Sequence, residues 1–252
     1  MSVLINADDF GKDEEVNRAI CEAFEKGYVG HTTLMVNMPG AKEAFLLAKE
    51  KGFCDKVGLH LNITEGLPIS DDIRNNPLIC GTDGSFNAAF YHNMKYRLYM
   101  DSLSIQQIEK EFAAQIERFL ELGFTQLHID SHHHVHTNYP VYLALKRLGR
   151  RYRFSYVRVS RNLYHGGNPL NRIYKGFYNR SVKRLCERTS DLFGSYQDLI
   201  DYTGGDAMRC RKLSAENSIE VMAHPLYVNG VLTDTDIPMT EYEKLTDRNL
   251  VG

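Results

Sequence analysis

Apolar and polar positions follow two rhythms along the chain. Residues 3–7 form a short apolar run that ends on two carboxylates, and residues 14–26 then place Val16, Ile20 and Phe24 four apart before Gly27. An apolar run followed by a stripe of helical period predicts a strand and then a helix. The same signals predict a strand over 32–38, a helix over 41–51 and a strand over 56–63. From about 67 to 103 the rhythm breaks. Pro68, Pro77, Gly81 and Gly84, with Asp and Asn between them, predict a long irregular excursion, and excursions of that length commonly serve as lids or binding loops. Ser104 and Gln107 have capping-box spacing and open a stripe of Ile105, Ile108, Phe112, Ile116 and Phe119 that stops at Gly123. Beyond it the pattern predicts a strand over 125–130, a helix over 141–148, a strand over 155–160, a long helix over 170–188 and a strand over 219–223. Alternation of this kind implies a parallel sheet with crossover helices. For residues 1–252 as one domain, the expected fold class is α/β: a TIM-barrel-like (β/α) barrel, complete or distorted, with an open doubly wound sheet as the alternative.

Composition narrows the class further. Apolar residues make up 43% and charged residues 25%, which excludes a disordered, collagenous or disulfide-stapled chain. Thirty Lys and Arg against thirty-two Asp and Glu leave a net charge of −2, which suggests no polyanionic partner. Locally the balance differs: residues 147–188 carry twelve Lys or Arg against the single acid Glu187, with tyrosines interleaved. Such a segment could serve RNA or an anionic substrate, but a solvated helix face or a subunit contact is the simpler expectation. Five widely spaced cysteines without a C-x-x-C pair suggest reduced thiols. No run approaches the ~18 to 20 apolar residues of a membrane span, and the first residues lack a signal-peptide pattern, so a cytoplasmic protein without a membrane partner is expected.

Histidine supplies the chemistry. Five of the ten histidines (His128, His132, His133, His134 and His136) fall within nine residues. In an extended chain residues two apart share a face, but His128 and His136 would then lie ~26 Å apart, so only one or two neighbours could reach one ion. In (β/α) barrels the active site is built at the carboxyl ends of the strands. Asp8, Asp9, Asn37, His60, the histidine run, Arg158 or Arg161, and His224 all fall at such ends. Of Asp8 and Asp9, one can hold a metal while the other takes a proton, although a helix cap would use the same residue type. A lone His60 on an apolar strand is more often a satisfied core residue; convergence with other ligands changes that balance. Pro225 biases His224 to an extended backbone, and a histidine there suits general acid work. With no G-x-S-x-G elbow, P-loop or glycine fingerprint, the expected chemistry runs through a metal-activated water.

Four segments taken together resemble the YdjC-like carbohydrate deacetylases, which include the chitooligosaccharide deacetylases. They are Ala7-Asp8-Asp9-Phe10-Gly11, Gly58-Leu59-His60-Leu61-Asn62 with Thr64-Glu65-Gly66, the segment from His128 to His136, and Glu220-Val221-Met222-Ala223-His224-Pro225. The resemblance implies a hydrolase that removes acetyl groups from N-acetylated amino sugars or short chitooligosaccharides with one divalent ion, magnesium or zinc. It implies Asp9, His60 and His132 as metal ligands, Asp8 or Asp9 as the base and His224 as the acid. Asp130, His134 and His136 would back the ligands or touch substrate. A homodimer is also implied, with a small carbohydrate rather than nucleic acid as partner. The rival expectations are a metal-dependent phosphoesterase or amidohydrolase, and a non-catalytic sugar or RNA binder.

Overall fold

A computed structural model describes residues 3–164 and 168–242. In chain order the first half contains β1 (Val3–Phe10), α1 (Glu14–Glu25), β2 (His31–Leu34), α2 (Ala41–Glu50), β3 (Val57–Leu61), α3 (Ala89–His92), α4 (Met94–Leu98) and α5 (Ser102–Glu121). The second half contains β4 (His128–Ser131), α6 (Tyr139–Tyr152), β5 (Phe154–Val157), α7 (Pro169–Val182), β6 (Cys186–Arg188), β7 (Leu192–Ser195), α8 (Tyr196–Thr203), α9 (Ala207–Glu216) and β8 (Ile219–Ala223). Three further strands follow: β9 (Pro225–Val228), β10 (Val231–Asp234) and β11 (Ile237–Pro238).

Among the described residues, eight parallel strands make one sheet in the order β6-β5-β4-β3-β2-β1-β8-β7. That is the cyclic order of a (β/α) barrel opened between β6 and β7, not the reversed order of a doubly wound sheet. The opening is small for a geometric reason. Seven strand spacings would put the edges of a flat sheet ~34 Å apart, whereas the chain from Arg188 to Leu192 reaches at most ~14 Å. The sheet therefore curls, and residues 186–195 run from pairing with β5 to pairing with β8. Strands β3, β4 and β8 are buried at every position, as expected where helices cover one face and the barrel interior the other.

Several expected elements change in detail. Helix α5 starts at Ser102 because the Asp101 carboxylate accepts from the Ser104 amide; Gln107 instead bonds Asp72 and Asn76. The long helix over 170–188 ends at Val182, since Cys186–Arg188 extends and pairs with β5. The strand over 32–38 stops at Leu34. The excursion over 67–103 contains α3 and α4 and is anchored by buried Ile73, Ile79, Phe86 and Phe90. The antiparallel sheet of β9, β10 and β11 was not expected, although Asn229-Gly230, both at positive φ, is the hairpin signal that announces it.

Candidate active site and metal centre

Strand β1 carries an irregularity between Ala7 and Phe10, and Asp9 sits at φ 70° within it. A bulge re-aims side chains, so the two neighbouring carboxylates part company. Asp8 turns to the guanidinium of Arg158, with Nη1 and Nη2 donating at 2.6 and 2.7 Å. Asp9 turns to two imidazoles instead, its Oδ1 lying 3.2 Å from His60 Nε2 and 2.8 Å from His132 Nδ1. Neither aspartate caps a helix; Asp13 caps α1. Gly58 lets β3 approach β4, because a Cβ there would lie 2.6 Å from the His128 carbonyl oxygen. That approach puts His60 opposite Asp130, whose Oδ1 lies 2.8 Å from His60 Nδ1.

The histidine run is not extended. Strand β4 ends at Ser131, and residues 132–137 wind into a tight turn with His133 and His134 at φ near +52°. Left-handed backbone costs a non-glycine residue roughly 1 kcal/mol or more. The turn brings His132 over Asp9, and His133 Nδ1 lies 3.1 Å from Thr64 Oγ1. His136 folds into the interior, fully buried, with Nδ1 2.5 Å from Ser131 Oγ. His134 lines the cavity, and its Nδ1 has no hydrogen-bond partner among the described residues.

One nitrogen each from His60 and His132 and one oxygen from Asp9 lie within 4.8 Å of one another. Their separations of 2.8 and 3.2 Å from the shared carboxylate oxygen are those of atoms that ligate one ion through bonds of ~2.0 to 2.2 Å. Two imidazoles and a carboxylate form a familiar three-ligand set with room for water. Behind them, the Asp130 carboxylate takes His60 Nδ1, the usual way a ligating ring is oriented. A second group, Asp8, His60 and Asp130, also clusters, but both of its carboxylates are ion-paired with Arg158. The residues present therefore fit one ion, at Asp9, His60 and His132.

Arg158 is fully buried and meets Asp8, Asp130 and Glu220 at 2.6 to 2.9 Å. Burial alone would raise the pKa of Asp8, but Arg158 outweighs it and holds the carboxyl well below its ordinary range. Asp9 is likewise lowered, its burial outweighed by the two imidazoles. Burial would lower His60, yet Asp130, Asp9 and Asp8 lift it to about 10, and burial pushes His134 down to about 3. His224 stands across the cavity with Nε2 4.0 Å from Asp8 Oδ2 and its backbone amide donating to Asp234. Burial opposes its protonation, but Asp234, Asp8 and Asp9 raise its pKa.

The structure thus gathers Asp8, Asp9, His60, His132, His134 and His224 around one cavity of about 400 Å³. Asp130 lies behind His60, and His136 does not line the cavity. Lys12, Glu65, Tyr91 and His133 line it as well. Glu65, 3.1 Å from His132 Nε2 and 3.0 Å from Lys12 Nζ, belongs to the Thr64-Glu65-Gly66 segment, to which the sequence assigns no role. Tyr91 had no signal, because it comes from the irregular excursion. The basic segment disperses: Arg147, Arg151, Arg161 and Lys183 pair with Glu109, Glu117, Asp198 and Asp191.

A profile of the YdjC-like protein family matches residues 2–251. The chain belongs to that family. A protein from Halalkalibacterium halodurans named "Carbohydrate deacetylase" is 33% identical over 98% of this chain and 95% of its own length. One of the same name from Geobacillus stearothermophilus is 34% identical over 99% and 91%, and one from Brevibacillus brevis 39% identical over 92% and 85%. A crystal structure of an Enterococcus faecalis V583 protein named for cellobiose-phosphate cleavage superposes with a TM-score of 0.67 at 24% identity, covering 98% of this chain and 91% of that one. All five cysteines of this YdjC-like chain are free, and no described helix is long and apolar enough to cross a membrane.

The raised pKa of His60 gives a first test. A ligating nitrogen cannot keep its proton, and His60 holds one up to about pH 10. Ion uptake should therefore release a proton, and affinity should rise about tenfold per pH unit across neutrality. Calorimetric titration in buffers of different ionisation heat measures both; an affinity flat with pH would contradict the ligand role of His60.

Proposed function

We propose that this chain is a divalent-metal-dependent hydrolase that removes acetyl groups from N-acetylated amino sugars or short chitooligosaccharides. The observation that carries the reading is the convergence of Asp9, His60 and His132 in one cavity with Asp8 and His224 beside them. The full-length relatives named carbohydrate deacetylases support the reaction class. Two imidazoles and one carboxylate favour zinc or a similar ion over magnesium, which prefers all-oxygen surroundings.

An ion at this site supplies Lewis acidity toward the acetyl carbonyl and lowers the pKa of a nearby water. Asp8 is the better base. Arg158 keeps it ionised and oriented, while the Asp9 oxygen is already shared by two imidazoles. His224, with its pKa raised and its ring facing Asp8, donates the proton that lets the amine leave. Asp130 holds the back of His60, Glu65 lies close to His132 Nε2, and neutral His134 offers a hydrogen-bonding wall for the sugar. A two-ion phosphoesterase is less well supported, because Arg158 occupies the second carboxylate group. The same reading takes in a cytoplasmic location and a homodimer, for which exposed Leu170, Ile173 and Phe177 on one face of α7 offer an apolar contact.

The decisive experiment incubates zinc-loaded and magnesium-loaded protein with N-acetylglucosamine and its short oligomers and assays acetate. Release that stops on chelation is the expected result. No release across this series and both ions would overturn the proposed substrate class.

A further inference from the structure

We infer that Tyr91, carried in by the excursion over 67–103, is a positioning residue that fixes the metal-facing histidine turn. The inference rests on the reading that Asp9, His60 and His132 hold a divalent ion. His132 reaches Asp9 only because residues 132–137 wind tightly, and two consecutive residues of that turn, His133 and His134, occupy left-handed backbone that a non-glycine residue avoids unless its surroundings impose it. Something must therefore hold the turn.

Hydrogen bonds between Thr64 and His133 and between Ser131 and His136 hold part of the turn, and ring contacts brace the rest. The Tyr91 ring stacks on His133 with centroids 5.2 Å apart and planes 19° from parallel. His133 in turn lies against His132, centroids 4.1 Å apart. A run of three rings in contact thus leads from α3 through His133 to a proposed ligand. Phe90, the neighbour of Tyr91, is fully buried and pins α3 to the core, so the outer ring of the run has a fixed support. The far end of the turn is tied down by two further bonds. Arg97 Nε, from α4 of the same excursion, donates to Asn138 Oδ1 at 3.2 Å, and the Tyr174 hydroxyl donates to the Thr137 carbonyl at 2.6 Å. A segment whose sequence pattern looks irregular thereby grips both ends of the segment that carries a ligand.

The flat ring face is what the contact uses, so Tyr91→Phe should preserve it and Tyr91→Ala should not. Zinc titrated alone into the apo-protein is expected to bind about tenfold more weakly to Tyr91→Ala, the scale seen when groups that orient metal ligands are removed. Binding to Tyr91→Phe should stay within about twofold of wild type. The thermal midpoints of the apo forms show that both variants are folded. Should Tyr91→Ala fail to fold, Tyr91→Leu keeps apolar bulk without a ring face and is expected to show the same weakening. Unchanged zinc affinity in the ringless variant, with only KM for sugar raised, would overturn the inference and make Tyr91 a substrate contact. Wild-type protein that binds neither zinc nor magnesium would instead refute the underlying metal reading, and this inference with it.

Discussion

Replacing Arg158 with methionine is expected to destabilise the apo-protein by about 3 to 5 kcal/mol, the cost of removing one partner from a buried ion pair. The side chain is fully buried, and three buried carboxylates, Asp8, Asp130 and Glu220, share its one positive charge. Methionine fills much of the volume but removes the guanidinium, and protonated His60 beside Asp130 cannot offset all three carboxylates, so the loss comes from poorly compensated charge rather than from a cavity. Typical domains are stable by only about 5 to 15 kcal/mol, so much of the margin disappears. Urea unfolding of apo-protein measures the change. Arg151→Met is the control: its guanidinium meets Glu117 with both side chains exposed, and such pairs contribute about 1 kcal/mol or less. Equal losses for the two variants would refute the assignment of Arg158 as the charge centre beneath the site.

His132→Ala is expected to lower kcat/KM for acetate release by about a thousandfold or more, or roughly 4 kcal/mol of transition-state stabilisation at 1.36 kcal/mol per decade. It should also reduce the bound ion per chain in equilibrium dialysis to background. Folding should hardly suffer, because the ring lies at the cavity wall and Asp9 keeps its contact with His60. The corresponding change at His60 is less clean. Its Nδ1 occupies Asp130 and Thr33 in the interior, so His60→Ala also leaves buried acceptors unpaired and mixes a folding cost with the loss of a ligand. An unchanged ion count in His132→Ala would show that the ion is held elsewhere.

Much of this site could be read from strand ends alone. The apolar runs that finish in Asp8-Asp9, in His60, in Asp130 and in His224 are buried parallel strands, and in a barrel such strands deliver their last residues to one end. Reading the histidine run as extended chain was wrong beyond Ser131, because nothing in the alternation of side chains announces two consecutive left-handed residues. Strand β7 escaped notice for a related reason: Leu192-Phe193-Gly194-Ser195 is four residues long and lacks a polar alternation. The helix over 170–188 was drawn too long because Lys, Arg and Leu at 183–185 suit a helix, and only pairing with β5 pulls Cys186–Arg188 straight.

By itself the sequence determined the period of each element, the parallel α/β class and the residue types at the strand ends, because those follow from local side-chain spacing and from burial on both faces of a sheet. The tertiary structure alone decided which carboxylate serves which partner. The bulge at Asp9 sends Asp8 to a buried arginine 150 positions away and Asp9 to two histidines, and the distant Tyr91 braces the turn that carries one of them. Contacts of that sequence separation depend on how the curled sheet turns the ends of separate strands toward one another, and no local pattern records that.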